Sequence, residues 1–325
     1  MKIGKISENM LNRSVFKLFR HRRKDVHKKP SVGIDAAFVD LEGESICLST
    51  NPVTLSLDRL GKQAIYYVAN NIACQGAELV GVLVNILMPS CSDEKDIKLI
   101  MNDLENVCGE LNIEVMGGHT EMLGNVTETM LVMTGVGRIK KNKILDIKKI
   151  EAGYDIVMTK WAGMEGASII AGNKKEELMT KYKEELIDNA YDMSQMISIL
   201  KEASIAFENG ALYMHDVTSS GVYGGLWELA CGIKHGIEID LQRIPIRQEI
   251  VEICEFYDLN PYLLPARGVL LIVVEDGDDL VEKLIKEGID ADIIGKVCSH
   301  NNKIVTNDDE MRYLDPPSPK NMILE

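Results

Sequence analysis

The segment between residues 214 and 230 restricts the possible folds most, because small and polar residues interrupt an apolar background there. The residues that suit N-cap or turn positions are Asp216, Thr218, Ser219 and Ser220. The pattern predicts a strand that ends near Asp216, a tight turn, and a helix that begins soon after it. A helix N-terminus offers free amide donors and the positive end of a dipole, so it can bind an anion such as phosphate. A capped helix packed on a sheet would explain the same pattern without a ligand.

The length of 325 residues suits two domains of about 150 residues each. Strand-like and helical patterns alternate in both halves of the chain, which is typical of α+β domains. A Lys-rich turn near Lys143 and the polar run over 151–155 mark the passage between the halves. We therefore predict two α+β domains, residues 1–150 and residues 151–325.

In the first half, the pattern predicts a buried strand over 79–87 and a helix over 93–111 that Ser92 caps. The apolar face of this helix contains Ile97, Ile100, Met101, Leu104 and Val107. In the second half, the predicted helices cover 165–171, 175–186, 193–208 and 224–235. Each half thus combines helices with buried strands.

The formal net charge of −14 argues against nonspecific binding to nucleic acid or to an anionic membrane, because both require a positive surface. The N-terminal region is an exception within this acidic chain. Its basic island consists of Lys17, Arg20, His21, Arg22, Arg23, Lys24, His27, Lys28 and Lys29. Two interpretations are open: a solvated arm, which is usual for runs of charge, or a flexible flap over an anionic ligand.

The seven cysteines occur singly, without a CxxC pair, and most lie in apolar surroundings. They are typical of reduced core residues, and their spacing contains no zinc-binding pattern. The first residues do not form a signal peptide, and no apolar run approaches the ~18 residues that a membrane span requires. We therefore predict a cytoplasmic protein without a membrane or nucleic-acid partner.

Four further polar clusters interrupt the apolar pattern, each at a predicted strand end or helix start. They lie at 33–37 (GIDAA), 49–52 (STNP), 69–73 (ANNIA) and 117–121 (GGHTE). Polar groups are costly when they are buried without partners. Asn70 and Asn71 lie within a predicted helix, where Asn is unfavourable, so we predict a tertiary role for them. Gly117 and Gly118 follow a strand and would let the backbone pass close to a ligand.

The order of these clusters resembles that of a superfamily of ATP-dependent enzymes. This superfamily includes aminoimidazole-ribonucleotide (AIR) synthetase, thiamine-monophosphate kinase, selenophosphate synthetase and the hydrogenase maturation factor HypE. The matching segments are 33–37, 49–52, 68–78, 117–121, 153–167, 215–230 and 244–274. They extend over nearly the whole chain, and the resemblance is greatest to HypE and to HypE-like, AIR-synthase-related proteins. Segments in this order are specific for the superfamily but much less specific for one reaction.

The resemblance implies a two-domain α+β protomer, a homodimer formed through the N-terminal sheet, and ATP bound with Mg²⁺ between the domains. For the first domain, the implied ATP- or phosphate-binding residues are Asp35, Asn51, Asn70, Asn71, Gly117, Gly118, His119 and Thr120. For the second domain, they are Asp216, Thr218, Ser219, Ser220 and Gly221. Asp35 and Glu121 are the candidate metal ligands.

Two candidate positions depart from the pattern of active relatives. Thr50-Asn51 stands where relatives read Thr-Asp, and Asn70-Asn71 stands where they read Asn-Asp. Mg²⁺ is a hard cation that prefers carboxylate and phosphate oxygens, so the exchange weakens a metal site and, with it, phosphoryl transfer. The remaining candidate substitutes are Asp35, Glu121, Glu128 and Asp216.

The resemblance to HypE also implies a reactive cysteine at the extreme C-terminus, but no Cys follows Cys298 in this sequence. We therefore predict a HypE-like nucleotide-binding protein that acts in protein or metallocofactor maturation with a partner protein. Its ATP-dependent phosphoryl transfer, where present, is expected to be weak. The alternative is a catalytically inactive binding or regulatory member of the superfamily. A third interpretation is a purine or thiamine biosynthetic enzyme.

Three further residues receive simpler interpretations. His215 has no evident orienting carboxylate near it in the sequence, so we interpret it as a turn or cleft-wall residue rather than as a catalytic base. Trp161 and Trp227 lie near glycines and could line a cleft, although packing in the core is the favoured interpretation.

Overall fold

The computed structural model describes residues 4–5, 8–24, 26–27, 38–39 and 44–316. The chain divides into two compact units, Met1–Ile144 and Leu145–Glu325. Each unit combines helices with a β-sheet, which confirms the predicted α+β class. The cluster at 33–37, including Asp35, lies outside the described residues. No helix in the described part of the chain is long and apolar enough to span a bilayer.

The strands of the first unit are β1 (Gly4–Lys5), β2 (Val26–His27), β3 (Phe38–Val39), β4 (Glu44–Thr54), β5 (Glu78–Pro89), β6 (Glu114–Leu123) and β7 (Met130–Lys140). Its helices are α1 (Glu8–Ser14), α2 (Leu57–Ala73) and α3 (Glu94–Leu111). The described strands form a five-stranded sheet in the order β1-β6-β5-β7-β4, and β2 pairs separately with β3. β5 is parallel to β6 and antiparallel to β7, and β7 is antiparallel to β4.

The apolar face predicted for α3 is confirmed. Its buried residues include Ile97, Ile100, Met101, Leu104 and Val107. The cap differs from the prediction, because the N-cap residue is Asp93 rather than Ser92. The Asp93 carboxylate accepts hydrogen bonds from the amides of Lys95 and Asp96. The Asp96 carboxylate accepts one from the Asp93 amide at 2.9 Å, which completes a capping box that Ser92 cannot form.

The two faces of this sheet differ in their covering. Helix α2 contacts β4, β5 and β7, and α3 contacts β6. Side chains on β4 alternate between the face towards α2 and the opposite face. Val53 is therefore 3% exposed, whereas Ile46 and Leu48 are 58% and 65% exposed. Leu83 on β5 lies on the same side as Ile46 and Leu48 and is 38% exposed. We call the surface that contains Ile46, Leu48 and Leu83 the open face.

Residues 13–23, which include part of the basic N-terminal island, pack along α3 and the starts of β5 and β6. The contacts join Arg13 and Ser14 to Glu94, the amides of Arg20 and His21 to Glu105, Arg22 to Glu114, and Arg23 to Glu78. Hydrogen bonds from Lys98, Arg13 and Ser14 lower the pKa of Glu94 to about 2. Residues 17–24 of the island therefore pack against the first unit rather than forming a free arm. Lys28 and Lys29 lie outside the described residues, and a role over an anionic ligand stays a prediction.

The strands of the second unit are β8 (Asp155–Thr159), β9 (Tyr213–Asp216), β10 (Gly236–Asp240), β11 (Leu270–Val274), β12 (Ala291–Cys298), β13 (Lys303–Asn307) and β14 (Glu310–Tyr313). Its helices are α4 (Met164–Asn173), α5 (Lys175–Leu178), α6 (Glu184–Asp192), α7 (Leu200–Glu208), α8 (Gly221–Ile233), α9 (Gln248–Phe256) and α10 (Gly277–Lys286). The described strands form a seven-stranded sheet in the order β14-β13-β10-β12-β8-β11-β9. Helices α4, α8 and α9 contribute to its main apolar core.

The helix predicted over 175–186 is in fact two helices, α5 and α6, separated by a turn. In this turn, the Tyr182 hydroxyl donates a hydrogen bond to the backbone carbonyl of Glu252 on α9 at 2.8 Å. The prediction is wrong here because a long-range contact outweighs the local helical pattern.

The helix predicted over 193–208 is also interrupted. A 3-10 turn, Met193–Met196, precedes α7. The ammonium of Lys160 donates hydrogen bonds to the carbonyls of Met196 at 2.9 Å and Ser198 at 2.6 Å. These carbonyls therefore accept hydrogen bonds from a buried ammonium group instead of from the backbone amides of a continuing helix.

The hairpin of β13 and β14 is absent from the predicted elements. β14 has four residues, and all four are exposed. A strand this short, without a buried face, gives no periodic signal in the sequence. It is nonetheless paired in register with β13, where Ile304 lies opposite Tyr313.

Candidate functional site

Asn51 and Asn71 share Ser49 as a neighbour in the first unit. Ser49 and Asn51 project from the same face of β4, towards α2, about 7 Å apart along the strand. The side-chain amide of Asn71 on α2 donates a hydrogen bond to the Ser49 hydroxyl at 2.8 Å. Asn70 precedes it in the helix and is 1% exposed. The two positions where relatives carry Asp are thus brought together.

His119 projects from the opposite face of the same sheet. In the register, His119 pairs with Asn85, and Asn85 pairs with Val132. Val132 pairs in turn with Pro52 on β4. Residues paired across a sheet share a face, and Pro52 lies one residue after Asn51 on the strand, so the two point in opposite directions. Within one chain, the sheet therefore separates Asn51 from His119.

Glu121 lies beside His119 on the open face. The Nε2 atom of His119 and the Oε2 atom of Glu121 are 3.2 Å apart. Thr120, between them, points to the helix-covered face and is 7% exposed. The carboxylate predicted as a metal ligand is therefore already engaged by an imidazole.

Gly118 is required by the packing of the backbone. A Cβ atom at Gly118 would overlap the carbonyl oxygen of Val84 on β5. At Gly117, a Cβ atom would meet the Leu83 side chain at 3.4 Å, an ordinary contact. The close approach that Gly118 permits is thus made to the neighbouring strand. A role for these glycines in binding a ligand stays a prediction.

Magnesium is implied by the resemblance, but the described side chains do not by themselves form a set of magnesium ligands, and the candidate ligand Asp35 lies outside the described residues. Within the described stretches, no group of three or more His, Cys, Asp or Glu side chains could hold a metal ion. Mg²⁺ requires near-octahedral oxygen ligation, usually with carboxylates. Asn71 donates a hydrogen bond to Ser49, and Glu121 contacts His119. Neither position therefore belongs to a cluster of carboxylates.

In the second unit, the predicted strand, turn and helix are confirmed. β9 ends at Asp216 and α8 begins at Gly221. Ser220 is the N-cap residue, and its side chain makes no capping hydrogen bond. Gly221 has φ of 67°, and a Cβ atom there would lie 2.5 Å from the carbonyl oxygen of Tyr262. Both the backbone angle and the close contact therefore require glycine at the start of this helix.

A second loop supports this turn from one side. The Ala266 amide donates a hydrogen bond to the Thr218 carbonyl at 3.2 Å, and the Val217 amide donates to the Val269 carbonyl at 2.9 Å. The turn residues Thr218, Ser219 and Ser220 are half-buried. The turn is thus fixed by the backbone of residues 262–269 while its hydroxyl-bearing residues stay partly accessible.

Asp216 lies buried at the end of β9 and is 8% exposed. Burial raises the pKa of its carboxyl group, and the charges of His215 and Arg267 act in the opposite direction. Arg267 itself is held by Glu165, with Nη1 3.1 Å from the carboxylate. Glu165 is 5% exposed. The turn is therefore bordered by buried charged groups.

Glu165 and Arg267 are not among the site residues predicted from the sequence. Both lie in segments that carry the family resemblance, 153–167 and 244–274. They are 102 residues apart in the chain. A pairing over this distance leaves no local pattern, so only the fold reveals it.

His215 has an orienting carboxylate, which the sequence interpretation missed. Its Nε2 atom lies 2.9 Å from Oε2 of Glu228 on α8. The ring of Tyr213 stacks on the imidazole, with ring centres 6.5 Å apart and planes 18° apart. Glu228 follows His215 by 13 residues and approaches it only because α8 folds back along β9.

Trp161 and Trp227 are partly buried against the main core of the second unit, which confirms the favoured interpretation of core packing. Each also lies beneath a cation. The Arg247 guanidinium is 4.7 Å from the Trp161 ring centre, and the Lys303 ammonium is 4.4 Å from that of Trp227. Such contacts stabilise the exposed side of each ring.

Two α+β units that carry the polar clusters define a two-domain α+β protein. The chain belongs to the AIR synthase related protein family. Residues 33–139 match the family's N-terminal domain, and residues 151–307 match its C-terminal domain. The family predicted from the order of the sequence segments is therefore confirmed.

The relatives that match this chain include proteins named for hydrogenase maturation. The chain is 22% identical to the carbamoyl dehydratase HypE of Rhizobium leguminosarum bv. viciae over 284 residues, which cover 84% of this chain and 79% of the relative. It is also 22% identical to the hydrogenase expression/formation protein HupE of Azotobacter chroococcum over 278 residues, covering 82% and 79% of the two chains.

Solved structures share the fold. The crystal structure of E. coli HypE superposes with a TM-score of 0.81 at 21% identity, covering 97% of this chain and 100% of that one. A HypE structure in complex with ATP gives 0.78 at 16% identity, with 96% of both chains covered. The HypE–HypF complex gives 0.71 at 19% identity, covering 86% and 92%. These likenesses confirm the HypE-like two-domain fold.

Proposed function

We propose that this protein is a HypE-like nucleotide-binding protein that acts in the maturation of hydrogenase-type metalloproteins, with ATP as its ligand. The observation that carries the proposal is the turn after Asp216, where half-buried hydroxyl residues and a helix start follow a buried carboxylate. The family membership of both halves, the relatives named for hydrogenase formation and the HypE structure with ATP support it.

In the second unit, the nucleotide phosphates would contact the turn that precedes α8. The proposed binding residues there are Asp216, Thr218, Ser219, Ser220 and Gly221. Free amides at a helix start and hydroxyl groups donate hydrogen bonds to phosphate oxygens.

In the first unit, the proposed binding residues lie on two faces of one sheet. Those on or near the helix-covered face are Asn51, Asn70, Asn71 and Thr120. The others, Gly117, Gly118 and His119, lie on β6. Glu121 on the same strand is a proposed metal ligand. Asp35 completes the proposed set from outside the described residues.

A second candidate function is a binding or regulatory member of the family that does not turn ATP over. The contact of Asn71 with Ser49 favours it, because an amide donor occupies a position where relatives carry a carboxylate. Phosphoryl transfer depends on metal ions that neutralise developing charge. A site with fewer carboxylates can still bind a phosphate through neutral donors.

Calorimetry with ATP and ADP, with and without Mg²⁺, tests binding, and release of phosphate from ATP tests turnover. Binding with turnover that Ser219→Ala and Ser220→Ala diminish supports the maturation enzyme. Binding without turnover supports the regulatory member. Absence of binding to either nucleotide under all conditions contradicts both candidates. Asn102→Asp, at an exposed position on α3, serves as the control variant.

We further propose that the protein is a homodimer that pairs through the open face of the first unit. Ile46 and Leu48 are more than half exposed there, and Leu83 is 38% exposed. A sheet face with several exposed aliphatic side chains is stabilised when a second apolar surface covers it. A symmetric dimer would bury the same patch on both copies.

Light scattering after size exclusion tests this dimer. Leu48→Asp places a charge on the open face and is expected to yield a monomer. The control Ile285→Asp changes a residue of similar exposure, 56% against 65%, on α10 of the second unit, and is expected to leave the mass unchanged. A natural chain that elutes as a monomer would contradict the proposal.

A maturation partner protein is the last part of the proposed function. One HypE structure was solved as a HypE–HypF complex, and the match covers 86% of this chain. We infer that a protein of the HypF type binds this chain. Titration of purified HypF into the protein, followed by calorimetry, should show saturable binding, and absence of heat at micromolar concentrations would contradict it.

A further inference from the structure

The imidazole of His215 and the carboxylate of Glu228 connect the strand that ends at Asp216 to the helix that follows the turn. The two side chains are 2.9 Å apart and are 22% and 41% exposed. β9 leads directly into the turn over 217–220, and α8 leads out of it. A contact that fixes β9 against α8 therefore also fixes both ends of the turn.

The rest of the contact between β9 and α8 depends on glycine. A Cβ atom at Gly232 would overlap the Tyr213 hydroxyl, and one at Gly225 would lie 3.0 Å from the Val217 side chain. These glycines let the helix lie close to the strand but supply no directional interaction. Glu228 lies between Gly225 and Gly232 along α8, and its hydrogen bond with His215 supplies a directional interaction.

The position of β9 in its sheet increases the importance of this hydrogen bond. In the described part of the chain, β9 is one of the two edge strands of its sheet and pairs only with β11. Edge strands lack the second row of backbone hydrogen bonds that holds a central strand. Contacts with α8 therefore add to the restraint that the backbone of residues 262–269 places on the turn.

A purely structural role does not account well for this pair. Polar contacts between side chains this exposed contribute little to folding stability, because water competes for both partners. His215 nevertheless directly precedes Asp216 in the chain, so the contact lies at the entrance to the turn. Its placement suits control of the turn better than support of the fold.

We propose that His215 and Glu228 are positioning residues, which hold Asp216 and the turn over 217–220 in the arrangement that receives a nucleotide phosphate. The phosphate-binding role of the turn rests on the proposed function, whereas the restraint on the turn follows from the contacts alone. Neither residue needs to touch the ligand, since both act through the ends of the turn.

Two amide substitutions of His215 test the geometry. The side-chain amide of Gln reaches the place of the imidazole Nε2, so His215→Gln can still donate to Glu228. The shorter Asn reaches only the place of Nδ1, so His215→Asn loses the hydrogen bond. The control Asp292→Asn disrupts another exposed pair of the same unit, with Arg243 at 2.7 Å and side chains 48% and 43% exposed.

Amide hydrogen exchange at residues 217–221 without nucleotide and the Kd for ATP are the two measurements, with Tm as the check on folding. His215→Asn is expected to accelerate exchange at 217–221 and to weaken ATP binding about tenfold, while Tm stays near that of Asp292→Asn. His215→Gln is expected to restore both values.

Unchanged exchange in His215→Asn would overturn the inference. So would equal losses in the Gln and Asn variants, or a fall in Tm that accounts for the weaker binding. If the natural protein binds no ATP, the proposed function fails, but the exchange measurement still decides whether His215 and Glu228 restrain the turn.

Discussion

The guanidinium of Arg267 and the carboxylate of Glu165 form a largely buried ion pair, in which Nη1 lies 3.1 Å from both carboxylate oxygens. The Arg267 amide donates to the same carboxylate at 3.2 Å. The pair joins the first turn of α4 to the loop that supports the turn after Asp216. Removal of one partner would leave the other as a buried charge without its counter-ion.

Glu165→Ala is therefore expected to lower the free energy of unfolding by about 3–5 kcal/mol, the usual effect of breaking a buried pair from one side. Urea denaturation followed by circular dichroism measures it. The control Glu282→Ala breaks a pair with Lys286 whose side chains are 67% and 68% exposed. That control is expected to change the free energy of unfolding little, because water screens an exposed pair. An equally small loss in Glu165→Ala would mean that solvent reaches Arg267 and compensates it.

Gly118→Ala is expected to be strongly destabilising, because its Cβ atom would overlap the Val84 carbonyl oxygen on the neighbouring strand. Forced overlap of this kind costs about 1–3 kcal/mol or more. Gly117→Ala is the matched control, since its Cβ atom would lie 3.4 Å from Leu83. Thermal unfolding of the two variants should differ clearly. Equal Tm values would show that β5 and β6 separate easily at this point.

Asp216→Asn is expected to raise stability at neutral pH. Burial raises the folded-state pKa of Asp216 above its ordinary value of 3.8. As pH rises past 3.8, the unfolded chain therefore releases this proton first, and the folded state loses stability until pH passes the folded pKa. The neutral amide of the variant carries no such cost.

Thermal unfolding between pH 3 and pH 8 checks this expectation. The Tm of Asp216→Asn should exceed that of the natural protein at neutral pH, and the difference should disappear below pH 3.8. ATP binding should weaken in the same variant, as expected of a functional residue that costs stability. A lower Tm at pH 7 would mean that contacts of the carboxylate outweigh its desolvation.

Local patterns were sufficient to predict elements whose stability is local. The apolar face of α3 repeats with the helical period, so Ile97 and Leu104 were identified as buried. The start of that helix was misplaced by one residue, because the reciprocal contacts of Asp93 and Asp96 decide the cap. Lys160 interrupts a predicted helix from outside it, and no local pattern contains that information.

The candidate site was predictable in its parts but not in its arrangement. The polar clusters marked Asn51, His119 and Asp216, because polar residues within apolar runs are conspicuous. The sheet register, however, decides that Asn51 and His119 lie on opposite faces. The partner of His215 depends on how α8 packs along β9, which brings Glu228 to it from 13 residues away.

Asn51→Asp combined with Asn71→Asp tests whether these positions face a metal ion. Both side chains lie around Ser49, so the double variant would place two carboxylates near each other on the helix-covered face. Added carboxylates strengthen the binding of a hard cation. The Kd for ATP in the presence of Mg²⁺ is therefore expected to fall by about tenfold, with no gain in its absence.

Calorimetry with and without Mg²⁺ measures this difference directly. Asn102→Asp adds the same charge at an exposed position on α3 and is expected to change neither value. Because Asn71 donates to Ser49 at 2.8 Å, a carboxylate there must instead accept from the hydroxyl, which serine can supply by rotating its proton. The double variant should therefore fold normally. Unchanged magnesium dependence in a folded double variant would show that neither Asn51 nor Asn71 faces the metal.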